Sequence, residues 1–151
     1  MSRVAFIKFG GLATGGTEVF LQTLAVNLST SNLNVDYFYC DSAPYIGSDW
    51  KHPDTDENRK KYVENSNVVL KKFSVEAKDI TTPTHDWVNS NFWEIFDETK
   101  YSLIVSARAG HPEYPFNRIL NTPIINFVTL NAGVDNQKNI YRNVLISNWS
   151  A

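Results

Sequence analysis

Arg3-Val4-Ala5-Phe6-Ile7-Lys8-Phe9-Gly10-Gly11-Leu12-Ala13-Thr14-Gly15-Gly16-Thr17-Glu18 is the stretch on which the fold is decided. Its first seven residues are apolar except for Arg3 and Lys8, the pattern of a strand buried on both faces, Arg3–Phe9. Two glycine pairs follow. Behind them Phe20, Leu24 and Leu28 recur at helical spacing, widened by Leu21 and Ala25. That spacing predicts a helix over Thr17–Ser29 with this face on a sheet. In parallel sheets such a strand-to-helix turn lies at the carboxyl edge, where ligands bind. Glycines let backbone amides approach a ligand closely and permit φ > 0 without a Cβ clash. The helix start adds unpaired N–H groups and a partial positive charge, suited to phosphate or sugar oxygens. The spacing is not that of the dinucleotide fingerprint, and no Gly-Lys-Ser/Thr follows, so the turn is not a P-loop. Glycines also serve a tight turn without any ligand, and a helix dipole stabilises Glu18 in either case.

Outward from this stretch, short apolar runs keep alternating with helix-like segments. Further strands are expected at Val35–Tyr39, Val68–Phe73, Leu103–Ser106 and Ile124–Thr129, with a sixth starting at Val144–Ser147. Helices are expected at Asp54–Asn65, at His85–Glu98 with Trp87, Phe92, Trp93 and Phe96 on its apolar face, and near Pro112. Right-handed crossovers then give strand order 3-2-1-4-5-6. The expected fold is α/β: a Rossmann-like, doubly wound parallel sheet in three layers. A chain of 151 residues fits one domain, residues 1–151.

Composition narrows the function classes. The formal net charge is −2, so no basic surface advertises nucleic acid. Cys40 is the only cysteine, which rules out an internal disulfide and thiolate-rich metal sites. No two histidines have ligand spacing on one element, so no metal is expected. The run Val4–Ile7 is too short for a signal peptide, and no apolar run approaches the ~20 residues that span a bilayer. A soluble, cytoplasmic protein without a transmembrane segment is expected, with peripheral membrane attachment left open.

The glycine stretch, with Gly-Gly-Thr-Glu opening its helix, resembles the N-terminal domain of GT-B glycosyltransferases, especially the retaining family 4 enzymes. Arg108-Ala109-Gly110-His111-Pro112-Glu113-Tyr114-Pro115-Phe116 looks like the turn after the fourth strand in some of them. The resemblance implies the acceptor-side half of a GT-B architecture. It implies a nucleotide-diphosphate sugar as donor substrate, with no separate cofactor, and a glycan or lipid-linked acceptor. It also implies a C-terminal donor-binding domain that is absent from this sequence.

The expected substrate contacts are Gly11, Gly15, Gly16, Arg108, His111 and Asn131. Arg108 offers a planar, forked cation for phosphate or sugar hydroxyls, and His111 a group that exchanges protons near neutral pH. Ordinary alternatives are a surface ion pair and a loop hydrogen bond. Many family 4 enzymes carry a histidine after the fifth strand, and Asn131 is matched to it here. An amide can bond a sugar hydroxyl but cannot act as a general base, so no catalytic residue is named. Trp50, Tyr45 and Tyr114 fall in expected loops where sugar faces could stack. His52 is a weaker candidate for the acceptor.

Two other readings remain. One is a non-catalytic binding subunit of a split transferase. The other is an oxidoreductase, ranked last because the fingerprint spacing is missing.

Overall fold

A computed structural model describes residues 2–41, 54–77, 88–107, 118–119, 121–128 and 140–145. The elements in chain order are β1 (Arg3–Ile7), α1 (Gly16–Ser29), β2 (Asn34–Tyr39), α2 (Glu57–Glu64) and β3 (Val69–Lys72). They continue with β4 (Val75–Ala77), β5 (Val88–Ser90), α3 (Phe92–Ile95), β6 (Leu103–Ser106), β7 (Ile124–Val128) and β8 (Ile140–Leu145). Six strands form one sheet in the order β3-β2-β1-β6-β7-β8. Every pairing in it is parallel. This is the expected 3-2-1-4-5-6 arrangement, an α/β Rossmann-like sheet whose order reverses between β1 and β6.

Alternation along the central strands sends side chains into two apolar clusters, one on each face. Val4, Phe6, Val35, Tyr37 and Val105 join Leu21 and Ala25 of α1 and Val63 of α2. Ala5, Ile7, Phe38, Ile104 and Ile124 join Phe73, Phe92, Phe96 and Tyr101. Phe38 centres the second cluster, edge-on to Phe92, Phe96 and Tyr101 at 5.9, 5.2 and 5.9 Å. Such pairs contribute roughly 0.5–1.5 kcal/mol beyond the area they bury.

Three expectations need correction. The helix over 85–98 does not form within the described residues, which begin again at Val88. Val88–Ser90 instead pairs antiparallel with Val75–Ala77, and the helix is the single turn Phe92–Ile95, followed by a 3-10 turn at Glu98–Lys100. Polar side chains explain the break. Ser90 Oγ accepts from Phe92 N at 3.1 Å and Asn91 Oδ1 accepts from Ser74 N at 2.8 Å. Such local bonds compete with the helical ladder. Trp93 still packs against Phe92 and Phe96; Trp87 lies outside the described residues.

The buried face of α1 is also rotated from the expected one. It is Glu18, Leu21, Gln22, Ala25 and Ser29, while Phe20, Leu24 and Leu28 pack at its margins. Three polar residues thus lie on the sheet-facing stripe, which an apolar pattern cannot register. The last strand, finally, begins at Ile140 rather than Val144 and carries a register shift opposite Ile124 and Ile125.

One buried acid belongs to the frame. Asp36, 1% exposed in β2, accepts from Arg3 at 2.9 and 3.0 Å and from the Tyr101 hydroxyl at 2.7 Å. It ties β1, β2 and the approach to β6 in the amino-terminal half of the sheet, away from the glycine turn.

Candidate functional site

The glycine turn leaves β1 at the carboxyl edge of the sheet, beside the point where strand order reverses. Its backbone is held from several sides. Cys40 N donates to Gly10 O at 3.1 Å, and Ala13 N closes a tight turn onto Gly11 O at 2.9 Å. Leu12 is bracketed by the start of α2: its N–H donates to Thr55 Oγ1 at 3.1 Å, and its carbonyl accepts from Asp56 N at 2.9 Å. Gln22, fully buried on α1, donates to Ala13 O at 3.1 Å and accepts from Arg59 Nε of α2 at 2.6 Å. These bonds fix both ends of the Gln22 amide and join turn, α1 and α2 in one unit.

Gly15 is the N-cap of α1, with φ −62° and ψ 157°, an ordinary extended conformation. The backbone conformation itself does not require a glycine at this position. A Cβ here would run into the end of the Glu18 side chain, which would have to shift from its place beside Lys8. At Gly16 a Cβ would meet nothing within 4 Å. Among the described residues nothing therefore requires the second glycine.

Glu18 does more than favour the helix dipole. It is 9% exposed, and its carboxylate lies 3.9 Å from Nζ of Lys8, which is 5% exposed. Burial lowers the Lys8 pKa, and the neighbouring Glu18 works against that shift. A buried pair of opposite charges thus underlies the turn. Among the described residues the buried Tyr37 hydroxyl, on the same face, and Arg59 Nη2 find no hydrogen-bond partner. Burial, and then Glu18, push the Tyr37 pKa upward. This polar set was missed in the sequence. Its only signals were a lysine ending an apolar run and a Glu18/Gln22 pair at helical spacing.

A second polar group lies at the ends of β2 and β3. Asp41 Oδ1 accepts from both the N–H and the hydroxyl of Thr55 at 2.7 Å, and Lys72 Nζ reaches Oδ2 at 2.6 Å. Thr55 also holds Leu12, so Asp41 is linked to the glycine turn through one side chain. Burial raises the Asp41 pKa, but the bonds from Lys72 and Thr55 outweigh it and hold the carboxyl below its ordinary value. The sign follows directly. A depressed folded pKa contributes stability above the unfolded value, and that stability is lost as pH falls through the folded one. We expect wild-type stability to fall more steeply than that of Asp41→Asn between about pH 5 and pH 1. Urea unfolding across that range checks it; parallel curves would show that the tether is not ionised.

Gly11, Gly15 and Gly16 therefore sit together on the turn at the carboxyl edge. Arg108, His111 and Asn131 lie outside the described residues, as do His52, Trp50, Tyr45 and Tyr114. Ser106, which ends β6 in register with Ile7, has a buried hydroxyl that finds no partner among the described residues. Among the described residues no helix is long and apolar enough to cross a membrane. Compared with protein-family models, with curated proteins and with solved structures, the chain gives no match.

Proposed function

We propose that the chain is the acceptor-side, three-layer Rossmann-like domain of a GT-B glycosyltransferase, acting with a donor-binding domain on a nucleotide-diphosphate sugar. The observation that supports this best is the tied glycine turn at the carboxyl edge, at the reversal of strand order. The Glu18 carboxylate at the start of α1 refines the reading. Buried beside Lys8, it offsets part of the helix dipole that would otherwise draw a phosphate, which favours an uncharged ligand at the turn. The turn then faces the transferred sugar or the acceptor, while the diphosphate is held chiefly by the other domain. Arg108, His111 and Asn131 complete the acceptor wall in this proposal. A cytoplasmic location, with peripheral attachment to a membrane, would suit a lipid-linked acceptor.

Gly16 tests the reading cleanly because its surroundings are open. Gly16→Val is expected to leave the fold intact, by circular dichroism and urea unfolding. In the presence of the donor-binding domain it should cut transfer at least about tenfold, which is ~1.4 kcal/mol of lost transition-state binding. Gly15→Val makes the contrast, since it collides with Glu18 and should lower stability as well. Unchanged turnover in Gly16→Val would remove the turn from the substrate site.

A further inference from the structure

An open cavity of about 350 Å³ lies at the carboxyl ends of β2 and β3, lined by Asp41, Lys72, Phe73, Ser74, Val75 and Asn91. From this lining we infer that the cavity is a binding site for a neutral, hydroxyl-rich ligand, one ring of a sugar. Its volume is at the lower end of the range of about 300–1,000 Å³ typical of small-molecule pockets.

The charge balance argues for neutrality. Lys72 and Asp41 are in contact at 2.6 Å, so among the described residues the wall carries one charge of each sign and no net charge. An anion approaching Lys72 also meets the Asp41 carboxylate, and a cation approaching Asp41 also meets the Lys72 ammonium, so neither gains a net attraction. Hydroxyls need none. The Lys72 ammonium has three N–H donors and spends one on Asp41, and its side chain is 56% exposed. Asp41 Oδ2 accepts from Lys72, and each carboxylate oxygen has two acceptor sites. Asn91 spends its amide oxygen on Ser74 N–H, which leaves its NH2 group as a donor. A sugar hydroxyl both donates and accepts, and so matches a wall that offers both.

Val75, half-buried, supplies the apolar surface of the lining, and Phe73 is the buried floor beneath it. Phe73 is anchored edge-on to Phe92 at 5.1 Å, so its position is fixed before any ligand arrives. The C–H face of a pyranose covers such a surface while its hydroxyls reach the polar groups, a combination unsuited to purely ionic or purely apolar ligands. The Asp41–Thr55–Leu12 chain of hydrogen bonds leads from this cavity to the glycine turn. The site is therefore on the same edge of the sheet as the turn. It does not depend on the transferase reading: a sugar can bind here whether or not any is transferred.

Amide chemical shifts of the intact chain, titrated with methyl glycosides of glucose, galactose and mannose, test the inference. Inorganic phosphate and glucuronate serve as the charged controls. At least one neutral glycoside should shift Ser74, Val75 and Asn91 with a millimolar dissociation constant. Lys72→Met should weaken it by about tenfold or more, and Ser74→Phe, which fills the cavity from an exposed position, should abolish it. Both variants should keep the wild-type spectrum elsewhere. Shifts with phosphate or glucuronate alone would make this an anion site and overturn the inference. Shifts with no probe, or neutral binding that survives both substitutions, would overturn it equally. Sugar binding here with no transfer by the wild-type chain together with the donor-binding domain would leave this site standing and remove the transferase.

Discussion

The 151-residue chain by itself, supplied with nucleotide sugars and glycan acceptors, is expected to form no glycoside. Adding the donor-binding domain, linked or separate, should restore transfer. The size of the effect follows from what one wall of a cleft can do. In a GT-B cleft the donor is enclosed between two domains, and positioning two reactants together can lower the barrier by ~7–11 kcal/mol. Each 1.36 kcal/mol is a tenfold change in rate, so losing that advantage alone costs roughly five to eight orders of magnitude. Stabilisation of the departing diphosphate also needs donors aimed at the developing charge. In the turn described above the acid at the helix start, Glu18, is buried beside Lys8 and supplies no such donor. Release of nucleoside diphosphate, followed by a coupled assay, and glycoside formation, followed by mass spectrometry, are the measurements. Robust transfer by this chain without a second domain would overturn the two-domain proposal.

The other large effect concerns stability. Lys8→Met is expected to destabilise the domain by about 3–5 kcal/mol, because it leaves the Glu18 carboxylate buried without its counter-charge. That is a large share of the ~5–15 kcal/mol that holds a typical domain together. Removing both charges has a different outcome. Lys8→Met with Glu18→Leu replaces the pair by apolar groups of similar length, which is often neutral or stabilising by about 1–4 kcal/mol. A double-mutant cycle by urea unfolding should therefore show strong coupling between the two positions. Equal losses in the single and double variants would mean that the 3.9 Å approach of Lys8 and Glu18 carries no energy and that Lys8 acts through its packing. The double variant is also a functional probe. If the carboxylate steers the turn toward hydroxyls, its loss should weaken acceptor or sugar binding while leaving the fold intact.

Much of the frame was legible along the chain because it depends on local pattern. A continuous apolar run makes a strand buried on both faces, and a 3.6-residue stripe makes a helix that lies on it. Arg3–Ile7, Gly16–Ser29, Asn34–Tyr39 and Leu103–Ser106 all lie within two residues of their expected bounds. The strand order came from the handedness of crossovers, which sterics impose on every parallel sheet. The position of the glycine turn at the carboxyl edge came with it.

Other features depend on neighbours distant in sequence, and only the tertiary structure decided them. Residues 88–96 look helical by their aromatic spacing, yet Ser90 and Asn91 spend their side chains on backbone groups, and Val88–Ser90 finds a partner in Val75–Ala77. Lys8 reads as a break in an apolar run until the fold brings Glu18 over it. Gln22 reads as a surface polar residue until Ala13 and Arg59 close on its amide from either side. Asp41, Lys72 and Asn91 are separated by about thirty and then about twenty positions. They line one cavity only because β2 and β3 are adjacent and α3 begins beside them. Apolar periodicity records which residues leave water. It carries no information about which buried polar groups will meet, since those pairings are set by the sheet order and the register that the whole chain adopts.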